Sequence, residues 1–171
     1  LQGRCPHVLS CPLCGWRETL GGEDDAMFTT LHPPTCRDAE MYTSIQACMD
    51  AYLRSEVVDD GYVWEGCSNA ACGQRRRRPT LGRHMEVFPE LLCVKLNRWG
   101  PDGVYRRHNI SPTDRLLLQG SVYTLQSIIV HRGRANSGHY WAVVRHVVQG
   151  ESRWYVNNDI IRQEATRDEL T

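Results

Sequence analysis

The 171-residue sequence predicts an α+β fold, mainly antiparallel β with few helices, and three observations point to it. The C-terminal part reads as strands at about 121–131, 139–148 and 153–157, with Gln149-Gly-Glu-Ser152 as a turn between the last two. Helical periodicity is clear once: Ile45, Cys48, Met49, Tyr52 and Leu53 fall at i, i+3, i+4, i+7 and i+8. Two short cysteine pairs, Cys11-Pro-Leu-Cys14 and Cys67-Ser-Asn-Ala-Ala-Cys72, each followed by glycine, add a zinc-ribbon-like extension.

Along the chain, residues 1–20 read as a strand, the first cysteine knuckle and a second short strand. Residues 21–40, with Gly21-Gly-Glu-Asp-Asp25 and Pro33-Pro34, read as a loop with little regular structure. Thr43-Ser-Ile-Gln46 has the form of a capping box opening the helix. Glu90–Trp99 reads as an interior strand, with Leu92, Val94 and Leu96 on one face and Leu91 and Cys93 partly burying the other. Gly100-Pro-Asp-Gly103 is a turn, and residues 104–120 show no clear pattern.

Composition narrows the function classes. Hydrophobic content is 41% and net charge is zero, which excludes a disordered chain and a strongly nucleic-acid-like charge bias. The run Arg75–Arg78 is short and suits a solvated loop better than a nucleic-acid contact. No apolar run approaches the roughly 20 residues needed to span a bilayer. The start at Leu1, with no signal-peptide pattern, leads us to expect that the chain begins inside a longer product.

Eight cysteines in 171 residues are too sparse for a disulfide scaffold. Spacings of two and four residues instead suit a structural, tetrahedral zinc site of Cys11, Cys14, Cys67 and Cys72. Reduced thiols then imply an intracellular protein, in cytoplasm or nucleus. Cys48 on the helix and Cys93 in the apolar strand read as small buried side chains.

The histidine of greatest interest is His139, which follows Gly138 at the start of a strand. A thiol hydrolase needs a base for the thiol proton and a third group to fix the base's tautomer. Arg132–Ser137 would form a mobile rim beside it. A turn at Gly150-Glu151, with Gln149 opposite Ser152, sets Asn158 across from Val143 and on the face of His139. That leaves it four residues, roughly 13 Å, from direct opposition, so a bulge or bend is expected to close the gap. Asp159 would then point to the other face. Asn158 is the first choice of orienting residue and Asp159 the second. His131, His108, His146 and His84 read as structural, and Trp141, Trp154 and Tyr155 as packing residues.

With these residues in view, the chain resembles the ubiquitin-specific proteases, papain-like cysteine peptidases. The similarity runs through Cys11-x2-Cys14-Gly15, Ser44-Ile-x2-Cys48-x3-Tyr52, Trp64-x2-Cys67-x4-Cys72 and Leu96-x-Arg98-Trp99. It is most specific in Tyr123-x-Leu125-x5-His131-x-Gly133-x3-Ser137-Gly138-His139-Tyr140, followed by Trp154-Tyr155-x2-Asn158-Asp159. Asn97, Trp99 and Asn157 depart from the family pattern, and no cysteine has the helix-start context of that family's nucleophile.

The resemblance implies the C-terminal part of a catalytic domain. It would comprise fingers with the zinc knuckles and one helix at about 1–88 and an antiparallel palm with the histidine box at about 89–171, with the helical thumb absent. It implies a thiol protease acting in ubiquitin conjugation, which hydrolyses the isopeptide bond at the ubiquitin C-terminus with a nucleophilic cysteine upstream of Leu1. In that reading the catalytic residues are His139, Asn158 and Asp159, and Gly138 and Tyr140 border the channel for the diglycine tail. Partners would be ubiquitin and ubiquitinated proteins, not a membrane or nucleic acid. The alternative is a catalytically inactive, ubiquitin-binding zinc scaffold.

Overall fold

A computed structural model describes residues 2–21, 27–37, 40–59, 64, 66–72, 78–99, 103–134 and 137–166. Before the helix lie β1 (Gly3–Arg4), β2 (His7–Ser10), β3 (Arg17–Leu20), β4 (Met27–Phe28), β5 (Thr30–Leu31), β6 (Cys36–Arg37) and β7 (Glu40–Met41). The helix α1 (Ile45–Leu53) is followed by β8 (Glu56–Val57), β9 (Thr80–Arg83), β10 (Cys93–Val94), β11 (Arg115–Leu118) and β12 (Ser121–Thr124). The chain then forms β13 (Ser127–Arg134), β14 (Ser137–Val148), β15 (Glu151–Asn158) and β16 (Ile161–Glu164). Two four-stranded antiparallel sheets result, ordered β3-β2-β9-β8 and β13-β14-β15-β16, and the only parallel pair among the described strands is β10 with β5. This is the expected mostly antiparallel fold with one described helix.

The helix forms where the periodicity places it, and its face is buried: Cys48 and Met49 are fully enclosed. Its cap differs from expectation by one position. Ser44, not Thr43, is the N-cap, with extended backbone and its hydroxyl accepting from Ala47 N at 3.1 Å. Gln46 is therefore free to dock the helix on β11. Its amide donates to Leu117 O and accepts from Leu117 N, each at 2.9 Å. Met49 joins Cys5, Leu31, Met85, Leu116 and Leu118 in the main core, and Cys48 packs with Tyr42 and Ile110 in a second.

Three other expectations are corrected. Residues 21–40 contain three short strands, β4 to β6, and the start of a fourth, β7, each only two residues long and thus too short for a sequence pattern to register. In Glu90–Trp99 only Cys93–Val94 is strand, beside β5; Leu92, Val94 and Leu96 are half-buried while Leu91 and Cys93 are exposed. Cys93 is therefore no buried thiol, because that strand has one covered face rather than two. Residues 104–120 yield β11, joined to β12 by the two-residue turn Gln119-Gly120, both at positive φ (46° and 95°). The turn Gly100–Gly103 falls largely outside the described residues, as do Arg75–Arg77; Arg78 is engaged in an interaction.

Candidate active site and metal centre

Both cysteine knuckles leave the same end of the first sheet. The first is the turn between β2 and β3, closed by Cys11 N to Trp16 O at 2.8 Å and Gly15 N to Cys11 O at 3.0 Å. Gly15 lies at φ +69°, a conformation that disfavours any residue with a Cβ. The second knuckle lies in the connection from β8 to β9. Ser10 and Val57 both pair with Thr80, which brings the two loops together.

The four sulfur atoms lie within 4.8 Å of one another. Cys11 Sγ is 3.8 Å from Cys72 Sγ, and Cys14 Sγ is 3.6 Å from Cys67 Sγ. A tetrahedron with metal–sulfur bonds of about 2.3 Å has edges of roughly 3.8 Å, so the cluster fits a four-thiolate metal site. The backbone N–H groups of Cys14 and Leu13 lower the Cys11 thiol to about 7, whereas burial raises that of Cys67. Asn69, which the sequence reading passed over, hydrogen-bonds within the second knuckle and to Cys14 Sγ.

Three of the four remaining thiols are poor nucleophile candidates. Burial pushes Cys5 and Cys48 up to about 11, which keeps both protonated. Cys36 is buried as well. Among the described residues no cysteine sulfur is hydrogen-bonded to His139.

His139 sits near the start of β14, opposite Arg132 on β13. The β14–β15 turn is Gln149-Gly150, not Gly150-Glu151, and Val148 faces Glu151. Both turn residues have positive φ (53° and 84°), the conformation of a two-residue turn that matches strand twist. The register consequently moves two residues from the expected one. Ala142 pairs with Asn157, and continuing that register sets Asn158 across from Trp141. A two-residue shift preserves the face, and Asn158 becomes a diagonal neighbour of His139, within side-chain reach without any bulge.

Asn158 Oδ1 lies 2.5 Å from His139 Nε2. A carboxamide oxygen only accepts, so Nε2 carries a proton, and in the neutral ring Nδ1 then presents a lone pair. That is the tautomer a general base requires if its target proton lies on the Nδ1 side. The His139 ring also stacks on Trp141, at 6.0 Å between centroids and 26° between planes. Asp159 does not point away, as strand alternation would have it. It leaves the strand at φ +52°, and its Oδ2 comes to 3.9 Å from the same Nε2, too far for a hydrogen bond.

The neighbours of His139 lie on the other face of the sheet. Tyr140 stacks on His131 at 4.3 Å, and the His131 imidazole lies over Gly138, where a Cβ would collide with it. Gly133, at φ +140°, faces Gly138 across the ladder and leaves no room for a side chain either. His131 thus packs against both flanks of His139, a contact hidden from sequence reading because it depends on pairing between strands. Of the expected rim, Arg132–Arg134 and Ser137 are strand, and residues 135 and 136 lie outside the described residues.

The fold is a mainly antiparallel sheet protein with a four-cysteine cluster and a His–Asn pair at a sheet end. The ubiquitin carboxyl-terminal hydrolase family model matches residues 1–170, and the chain belongs to that family. It is 32% identical over 95% of its length to ubiquitin carboxyl-terminal hydrolase Usp2 of Drosophila melanogaster, covering 17% of that protein. To ubiquitin carboxyl-terminal hydrolase 5 of Arabidopsis thaliana it is 25% identical over 74% of its length, covering 15%. Among solved structures it is similar in fold to the Ubp8/Sgf11/Sus1/Sgf73 SAGA DUB module, at a TM-score of 0.70 and 20% identity, covering 99% of this chain and 38% of that one. A yeast SAGA DUB module with mutant Sgf73 gives 0.67 and 20%, with 99% and 38% covered.

Proposed function

We propose that the chain is the fingers-and-palm part of a cysteine deubiquitinase that hydrolyses the isopeptide bond at the ubiquitin C-terminus. The observation behind this reading is the bond from His139 Nε2 to Asn158 Oδ1, which leaves Nδ1 as the base. The nucleophilic cysteine comes from a segment upstream of Leu1. His139 accepts the thiol proton and later delivers it to the leaving amine, while Asn158 holds the tautomer. Asp159 adds negative charge beside the imidazolium formed in the reaction. Gly138 and Tyr140 border the passage for the side-chain-free tail, which a narrow channel would favour.

In this reading residues of about 1–88 form the fingers and those of about 89–171 the palm. One four-stranded sheet lies wholly within each span, which supports the division. Zinc is the metal proposed for Cys11, Cys14, Cys67 and Cys72, since four thiolates with these separations suit a closed structural site. Zinc there would tie the two knuckles together and supply folding free energy. The reduced thiols support an intracellular setting, in cytoplasm or nucleus. No helix among the described residues is long and apolar enough to cross a membrane.

The test is cleavage of a fluorogenic ubiquitin C-terminal derivative by the full-length protein and by its His139→Ala variant. Activity in the first and its loss in the second support the reading. Ubiquitin binding without cleavage in the wild type would replace it by the inactive scaffold.

A further inference from the structure

We propose that Asn69 is a positioning residue for the metal centre: its carboxamide closes the second knuckle and donates a hydrogen bond to the Cys14 sulfur of the first. The proposal rests on the metal reading of the four cysteines. Cys67 and Cys72 are separated by four residues, against two between Cys11 and Cys14. The longer loop must fold back if both of its sulfurs are to reach the same point.

Asn69 supplies that fold with its side-chain and backbone oxygens. Its Oδ1 accepts from Ala71 N at 3.1 Å, an Asx turn, and its backbone oxygen accepts from Cys72 N at 2.9 Å. The backbone bond spans three residues and turns Cys72 toward the first knuckle. With Oδ1 held inside its own loop, Nδ2 points outward and lies 3.7 Å from Cys14 Sγ, 55 positions away. One side chain therefore shapes one knuckle and contacts a ligand of the other.

An N–H bond to a ligand sulfur fixes where that sulfur points, which favours retention of the metal. Groups that bond to metal ligands in this way change metal affinity by roughly 10–100-fold when removed. Asn69→Ala abolishes both the turn and the donor. Asn69→Asp keeps an oxygen for Ala71 N but has no N–H, and it sets a negative charge beside the thiolates.

The experiment is competition for Zn²⁺ between a chromophoric chelator and the full-length protein, with Co²⁺ spectra recorded at saturation. Both variants should bind zinc roughly 10–100-fold more weakly than wild type. Their saturated Co²⁺–thiolate bands should match wild type, since all four ligands remain. Affinities within about twofold of wild type would overturn the proposal. So would retained affinity in Asn69→Asp with loss only in Asn69→Ala, because the turn alone would then account for the effect. A weaker saturated Co²⁺ band would also overturn it, because a ligand rather than its positioning would have been lost. A wild-type protein that binds no metal would instead sink the metal reading itself.

Discussion

Asn158 and His139, 19 positions apart in the chain, are joined by a hydrogen bond from Nε2 to Oδ1 of 2.5 Å, whereas Asp159, one residue farther on, stands 3.9 Å from the same nitrogen. The difference sets an order of effects. In the full-length protein, His139→Ala should lower kcat by about 10²–10⁴, the range for loss of a general base. Asn158→Ala should cost less, because the base remains but its tautomer is unfixed. Asp159→Ala should cost least, since that carboxylate makes no hydrogen bond to the ring. Steady-state kinetics on a ubiquitin C-terminal substrate decide this, and a larger loss for Asp159→Ala than for Asn158→Ala would contradict the geometry.

Gly138→Ala should impair cleavage out of proportion to its size. A Cβ there drives the His131 imidazole off Gly138 and disturbs its stack on Tyr140, next to His139. Displacements of about 1 Å at a reacting group cost on the order of 10² in rate. His131→Ala in the same protein removes the colliding ring, so the double variant should recover part of the lost kcat. If the double variant is no better than Gly138→Ala, the collision is not the cause.

The metal site should be indivisible. Cys67→Ser combined with Cys72→Ser leaves two thiolates, and metal content of protein purified without chelator should fall from one zinc per chain to near zero. Hydrogen exchange should quicken first around Ser10, Arg17 and Thr80, where the sheet enters the knuckles, while β13–β15 keep their protection. Full zinc retention by the double variant would refute the four-cysteine assignment.

The two Gln-Gly turns make opposite predictions. Gln149 adopts φ +53°, and replacing it with Asn, which tolerates that conformation better, should stabilise the protein by up to about 1 kcal/mol. Gln119 has φ +46°, but its side chain accepts from Met85 N at 2.8 Å and donates to Arg83 O at 3.2 Å. Asn is one methylene short of those partners, so Gln119→Asn should destabilise by about 1–2 kcal/mol. Denaturant melts of the two variants read the signs, and a stabilised Gln119→Asn would mean that its two bonds contribute nothing.

By itself the sequence determined the fold class, the buried face of α1, the strands around His139, the cysteine quartet and the residues to suspect near the base. These are local properties: helical period, strand propensity, knuckle spacing and turn residues act over a few neighbouring positions. What only the tertiary structure decided depends on pairing. Strands of two residues, such as β5 and β10, exist because a partner is present, not because their own residues insist on it. The reach from Asn158 to His139 hung on which two residues of Gln149-Gly-Glu took the turn, and positive φ at both Gln149 and Gly150 settled it. Asp159 escaped strand alternation because the chain turns there into β16, which no periodicity announced. The packing of His131 against Gly138 and Tyr140, and the bond from Asn69 to Cys14, arise between segments that the sequence holds apart, and only the closed sheets and knuckles bring them within contact distance.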